Sequence, residues 1–150
     1  MTDATDDAAV PRIIAVEDNP ADVRLLREGV DAAEIELELT VYNSGRDAAD
    51  ALAAITPDAT DEHPDLILLD LNLPGRSGFE LLELIRTDTA FQQVPVVIVS
   101  SSENPADIDR AYELAANAYA TKPADPDEYI RMIDATIEFW IATADPFTSQ

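Results

Sequence analysis

Three short runs in this chain are apolar at every position: Ile13 to Val16, Leu66 to Leu69 and Val96 to Val99. A strand with one wet face alternates apolar and polar residues, so a run apolar on both faces needs cover on both. That condition is met by parallel strands sandwiched between helices. The intervening segments supply the helices. Val23, Leu26 and Val30 recur at helical spacing after Asn19-Pro20, a capping residue followed by a residue suited to the first helical position. Ser44 can cap a second helix carrying Ala48, Ala51, Leu52 and Ile55, and Ser77 with Glu80 has the spacing of a capping box. A further helix is expected around Ala106 to Ala115, and a last one from about Asp127 to Thr143. Ile35 to Val41 alternates as a strand, Ala118 to Thr121 is a short one, and Thr56 to Pro64 reads as an acidic loop. Five strands alternating with five helices predict a doubly wound (βα)5 fold of the flavodoxin-like kind, with a five-stranded parallel sheet.

In such folds the functional groups gather at the carboxyl ends of the strands. Here those ends carry Glu17, Asp18, Asp70, Ser100 and Lys122. Three carboxylates brought together repel and call for a cation, and an all-oxygen set without His or Cys favours Mg²⁺ over zinc. An aspartate can act as nucleophile and carry an acyl phosphate, and the transferred group needs a metal, a lysine and a hydroxyl around it. Asp70 follows a buried strand, where an acid contributes nothing to packing. Lys122, the only lysine in the chain, precedes Pro123 at a strand end. The bare chemistry points to phosphoryl transfer onto Asp70.

The runs IIAVEDNPADVRLL, ILLDLNLPGRSG, VVIVSSS and AYATKP, in this order, resemble a CheY-like receiver domain over about residues 12 to 143. Residues 1–11, small, polar and acidic, read as a disordered tail; the resemblance spans a receiver domain (12–143), with a C-terminal tail at 144–150. It implies that Asp70 is the phosphoacceptor and a Mg²⁺ ligand, that Asp18 is the second direct carboxylate ligand, and that Glu17 holds a metal-bound water. Asn72 would lend its backbone carbonyl to the metal, while its side chain and Ser102 face the attacking water and tune dephosphorylation. Lys122 would pair with the phosphoryl oxygens, Pro123 would follow a cis peptide bond, and Ser100 would bind the phosphate and draw its loop inward. Ser100 stands where many receivers have Thr; either hydroxyl can donate. Tyr119 matches the aromatic that turns inward with that loop. Gly75 and Gly78 serve chain geometry, and His63 is expected at the surface rather than as a relay histidine. VEDNPADVRLLREG, ANAYATKPAD and IEFW are similar to the small stand-alone regulators that serve phytochrome-type and hybrid histidine kinases.

The expected function is therefore a single-domain response regulator of a two-component phosphorelay. It would take phosphate from a histidine kinase or phosphotransfer protein, with no chemistry beyond self-directed phosphotransfer and autodephosphorylation. With no output module in the 150 residues, its signal is expected to pass to a downstream protein target. On the last helix Ile130, Ile133, Ile137 and Ile141 form the expected core stripe. Tyr129, Met132, Thr136, Phe139 and Thr143 form a second stripe, which would meet a partner or a second copy in a homodimer. Two rivals stand beside this reading. A Mg²⁺-dependent phosphatase with an aspartate nucleophile wants a second acid two residues on, where this chain has Asn72. A receiver-like interaction module that takes no phosphate would not need the full set of groups.

Composition narrows the setting. The absence of cysteine excludes disulfides and thiolate sites, and no apolar run reaches the roughly 20 residues that span a bilayer, so a cytoplasmic protein is expected. With 31 acidic against nine basic residues and a net charge of −22, nucleic acid and anionic membranes are repelled. Eight of the nine basic residues are Arg. Such a surface suits a halophilic cytoplasm, since molar salt shrinks the Debye length to about 3 Å and removes self-repulsion. The expectation is partial unfolding at low salt in a far-UV circular dichroism titration; full stability in dilute buffer contradicts salt adaptation.

Overall fold

The computed structural model describes residues 10–142 apart from 75, 76 and 89. Most of the expected acidic tail, the expected C-terminal tail, Gly75 and Thr143 lie outside the described residues. Five strands form one parallel sheet: β1 (Arg12–Val16), β2 (Glu38–Tyr42), β3 (Leu66–Leu69), β4 (Val96–Ser100) and β5 (Ala118–Thr121), in the order β2-β1-β3-β4-β5. Five helices connect and follow them: α1 (Pro20–Ala32), α2 (Gly45–Ala53), α3 (Gly78–Thr87), α4 (Pro105–Glu113) and α5 (Pro126–Ile137). This is the doubly wound, flavodoxin-like architecture that the apolar runs require.

The alternation of side chains along each strand divides the core in two. Ile13, Ala15, Leu66, Leu68, Val97 and Val99 pack under α1 and α5. Ile14, Val16, Ile67, Leu69, Val96 and Ile98 pack under α2, α3 and α4. All four residues of β3 are buried, and each such side chain removed from water contributes roughly 1.5–3 kcal/mol. The helix starts are fixed locally. The Asn19 side chain accepts the Ala21 and Asp22 N–H groups, Ser44 accepts that of Asp47, and Ser77 with Glu80 closes the expected capping box.

Some boundaries differ from expectation. β2 begins at Glu38 rather than Ile35, because its register is set by pairing with β1, Arg12 opposite Glu38 through Val16 opposite Tyr42. The acidic loop holds a short 3₁₀ turn, Thr60–Glu62. His63 beyond it is half-buried, with its ring 5.3 Å from that of Phe91. The last helix changes at Glu138–Ala142 to a π turn. Arg86 has a structural role the sequence did not reveal. Its guanidinium donates to the carbonyls of Phe91, Gln92, Val94 and Ala115 and to Asn117 Oδ1, tying the α3–β4 and α4–β5 connections together.

The phase of α5 also needs correction. Tyr129, placed on the outer stripe by its spacing, is buried with Ile133, Ile137 and Ile141, while Ile130 is only half-buried. The cause is the close approach of α1. A Cβ added at Gly29 would lie 2.5 Å from Ile133 Cβ and 3.1 Å from the Ile130 carbonyl oxygen, so the helices meet where α1 has no side chain. Gly29→Ala gains about 1 kcal/mol of helix propensity, but it pushes against a branched Cβ that no rotamer can move, costing about 2–3 kcal/mol. A net loss near 1–2 kcal/mol, read as a lower thermal midpoint, is expected; an unchanged or raised midpoint contradicts this packing.

Candidate functional site

The sheet brings the expected residues together at the carboxyl ends of its strands. Glu17 and Asp18 follow β1, Asp70 follows β3, Ser100 ends β4 and Lys122 follows β5. One carboxylate oxygen each from Glu17, Asp18 and Asp70 lies within 4.8 Å of the others, a hard oxygen set that fits a divalent ion such as Mg²⁺. Glu17 and Asp70 are buried and Asp18 is exposed, so the site opens to solvent on one side.

Lys122 is the counterweight. Its Nζ lies 2.8 Å from Glu17 Oε1, 2.8 Å from Asp22 Oδ2 and 3.4 Å from Asp70 Oδ2, and only 11% of its side chain is exposed. Burial pushes the Glu17 carboxyl up to about 7, even though hydrogen bonds from Lys122 and the Asn19 N–H favour its charge. Burial acts on Lys122 to weaken its charge, but hydrogen bonds to Asp22 and Glu17 outweigh that and raise its pKa above the ordinary lysine value. The ammonium is therefore held charged at any physiological pH.

The backbone frames Asp70. The Asn72 N–H donates to Asp70 Oδ1 at 3.2 Å. A Cβ at Gly78 would strike the Asp70 carbonyl oxygen and lie 2.6 Å from Leu71 Cα, so only glycine lets α3 start this close to the strand end. Ser100 is fully buried, and its hydroxyl oxygen accepts the Ser102 N–H at 3.1 Å. Its carbonyl accepts the Lys122 N–H at 2.8 Å, which binds the hydroxyl and the lysine to one rung of the sheet. The Ser102 hydroxyl donates to Asp107 Oδ2 at 2.6 Å in the first turn of α4, and the Tyr119 hydroxyl donates to the Ser102 carbonyl at 2.8 Å.

One expectation is overturned. No cis peptide bond occurs among the described residues, so Lys122–Pro123 is trans. Trans is the default for X–Pro, by about 0.5–1 kcal/mol, and Lys122 reaches its three carboxylates from it without a change of isomer. Near the lysine, one residue went unnoticed in the sequence and another was assigned to the wrong face. Asp22 stands among many acids and only the fold carries it to Lys122. Tyr129 is fully buried, its hydroxyl has no hydrogen-bond partner among the described residues, and burial raises its pKa.

The response regulator receiver domain model matches residues 13–134. The chain belongs to the response regulator receiver domain family. This receiver domain is 34% identical to the response regulator Rcp1 of Synechocystis sp. over 93% of its length and 95% of that protein's. It superposes on the phosphorylated cyanobacterial phytochrome response regulator RcpA with a TM-score of 0.83, at 38% identity, covering 90% of this chain and 96% of that one. The Mn²⁺-bound form of Rcp1 gives a TM-score of 0.81 at 34% identity, covering 89% and 96%. Receiver-domain response regulators are signalling switches of two-component phosphorelays, with an aspartate as phosphoacceptor and a divalent metal in the acidic pocket. They engage histidine kinases and downstream targets. Among the described residues no helix is long and apolar enough to cross a membrane.

Proposed function

We propose that Asp70 is the phosphoacceptor of this receiver domain and that the strand-end groups divide the work around it. The observation that supports this most is the convergence of the single lysine on Asp70 and its neighbouring carboxylates. An Asp70 carboxylate oxygen attacks the phosphorus of a phosphohistidine. The new O–P bond forms as the N–P bond breaks, and the electron pair stays with the imidazole nitrogen. A bound Mg²⁺ supplies positive charge to the phosphoryl oxygens. Asp18 and Asp70 would hold it directly, with the Asn72 carbonyl, and Glu17 through a water.

Lys122 neutralises phosphoryl charge, and Ser100 donates its hydroxyl proton to a phosphoryl oxygen while its oxygen keeps accepting the Ser102 N–H. That new bond pulls on the segment that Tyr119 already grips through Ser102, so Tyr119 responds to the state of the site. Hydrolysis returns the switch: water attacks phosphorus, the Asp70 O–P bond breaks, and inorganic phosphate leaves. Asn72 and Ser102 tune that step, Ser102 once its hydroxyl leaves Asp107. The chemistry is confined to the protein's own aspartate.

Similarity to RcpA and Rcp1 supports a phytochrome-type or hybrid histidine kinase as the donor, in the cytoplasm where such kinases work. Output passes by protein–protein contact. The end of the last helix, where Phe139 is 60% exposed and stacks edge-on against Trp140 at 5.0 Å, offers apolar area to a target or a second copy. With acetyl phosphate and Mg²⁺, the wild-type protein gains the mass of one phosphoryl group; Asp70→Asn does not, and chelating the metal abolishes the gain. Equal labelling of both proteins, or of neither, contradicts this function.

A further inference from the structure

Lys122 has two roles to reconcile. As the phosphoryl ligand it must reach the group on Asp70, yet its Nζ is closer to Glu17 and Asp22, 2.8 Å each, than to Asp70 at 3.4 Å. Asp22 differs from the other two acids. It lies in the first turn of α1 rather than at a strand end, and it is not one of the three carboxylates that converge for a cation. Its backbone is fixed, because the Asn19 side chain accepts the Asp22 N–H at 3.2 Å. Its side chain, 23% exposed, reaches across to an ammonium from the opposite end of the sequence.

We propose that Asp22 is a positioning residue that holds Lys122 in a resting cradle, from which the phosphoryl group must draw it. The inference rests on Asp70 being the phosphoacceptor. A divalent cation held by Asp18 and Asp70, and by Glu17 through a water, would offset their charge and weaken their claim on the lysine. Asp22 lies outside that set, so its carboxylate remains the main competitor for the ammonium. A charge-assisted pair of this kind, largely out of water, is stronger than an exposed one. The resting state therefore carries an interaction that must be given up as the phosphoryl group arrives. The Asp22 charge also repels the incoming dianion, which acts in the same direction.

The two effects fall on one step. Once phosphorylated, Lys122 sits on the phosphoryl oxygens both before and during hydrolysis, so Asp22 has little further influence. At saturating Mg²⁺ with acetyl phosphate as donor, Asp22→Asn raises the phosphorylation rate constant about fivefold, while dephosphorylation stays within about twofold. Asp22→Glu keeps the charge and restores the wild-type rate. A phosphorylation rate in Asp22→Asn that is unchanged or lower, with wild type labelled normally, overturns the cradle and leaves Asp70 as acceptor. So does an Asp22→Glu protein that behaves like Asp22→Asn. Failure of wild type to label overturns both readings.

Because Lys122 is the only lysine, selective ¹⁵N-lysine labelling gives one side-chain ammonium signal, a readout that does not depend on rates. That signal differs between wild type and Asp22→Asn at rest and converges after phosphorylation. Signals that coincide at rest overturn the proposal. If Asp22→Asn does not fold, the wild-type signal decides alone: it must move on phosphorylation, and a stationary signal overturns the proposal.

Discussion

Carboxylates at the end of a sheet do not stay together without a cation. Glu17 and Asp70 are nearly enclosed by protein, and burying an acid away from countercharge costs several kcal/mol or forces its protonation. Lys122 is the protein's own answer, one ammonium shared among Glu17, Asp22 and Asp70. A bound divalent ion is the second answer, and the two are linked: charge supplied by the metal loosens the hold of Glu17 and Asp70 on the lysine. On the proposed reading the site's chemistry depends on that competition, because the group that relieves the resting cluster would also be the group that meets the phosphoryl oxygens.

The rest of the structure holds the contestants in range. Parallel strands packed on both faces leave little freedom at their ends, and β1, β3, β4 and β5 deliver the acids, hydroxyl and lysine to one rim. Close backbone approaches sharpen the placement: Gly78 lets α3 begin against Asp70, and Gly29 seats α1 on α5. Ser100, Ser102 and Tyr119 form a continuous hydrogen-bonded path from the rim to β5. A change at the hydroxyl therefore has a route to the edge of the sheet.

The apolar runs of β1, β3 and β4 made the fold legible, since a strand buried on both faces permits few architectures. The acids and Ser100 were legible for the same reason, since polar residues at the end of such strands have no packing role, whereas Lys122, after the half-buried β5, stood out as the only lysine, just before Pro123. Asp22 was hidden by composition, because one more acid in the first turn of a helix is ordinary in a chain with 31 of them. Tyr129 was misplaced because four isoleucines suggested one helix phase, whereas the contact through Gly29 selected another. Arg86 joins carbonyls on separate connections, a pattern without a sequence period. The bond before Pro123 is trans, and nothing in the sequence besides the family resemblance bore on its isomer.

The most direct test of the account is a crystal structure with Mg²⁺ and beryllofluoride, a stable mimic of an aspartyl phosphate. The account predicts beryllium bonded to a carboxylate oxygen of Asp70, with Lys122 Nζ moved off Asp22 onto a fluorine and the Ser100 hydroxyl on another. Beryllofluoride on a different acid, or a bound adduct on Asp70 with Lys122 still on Asp22, would contradict it.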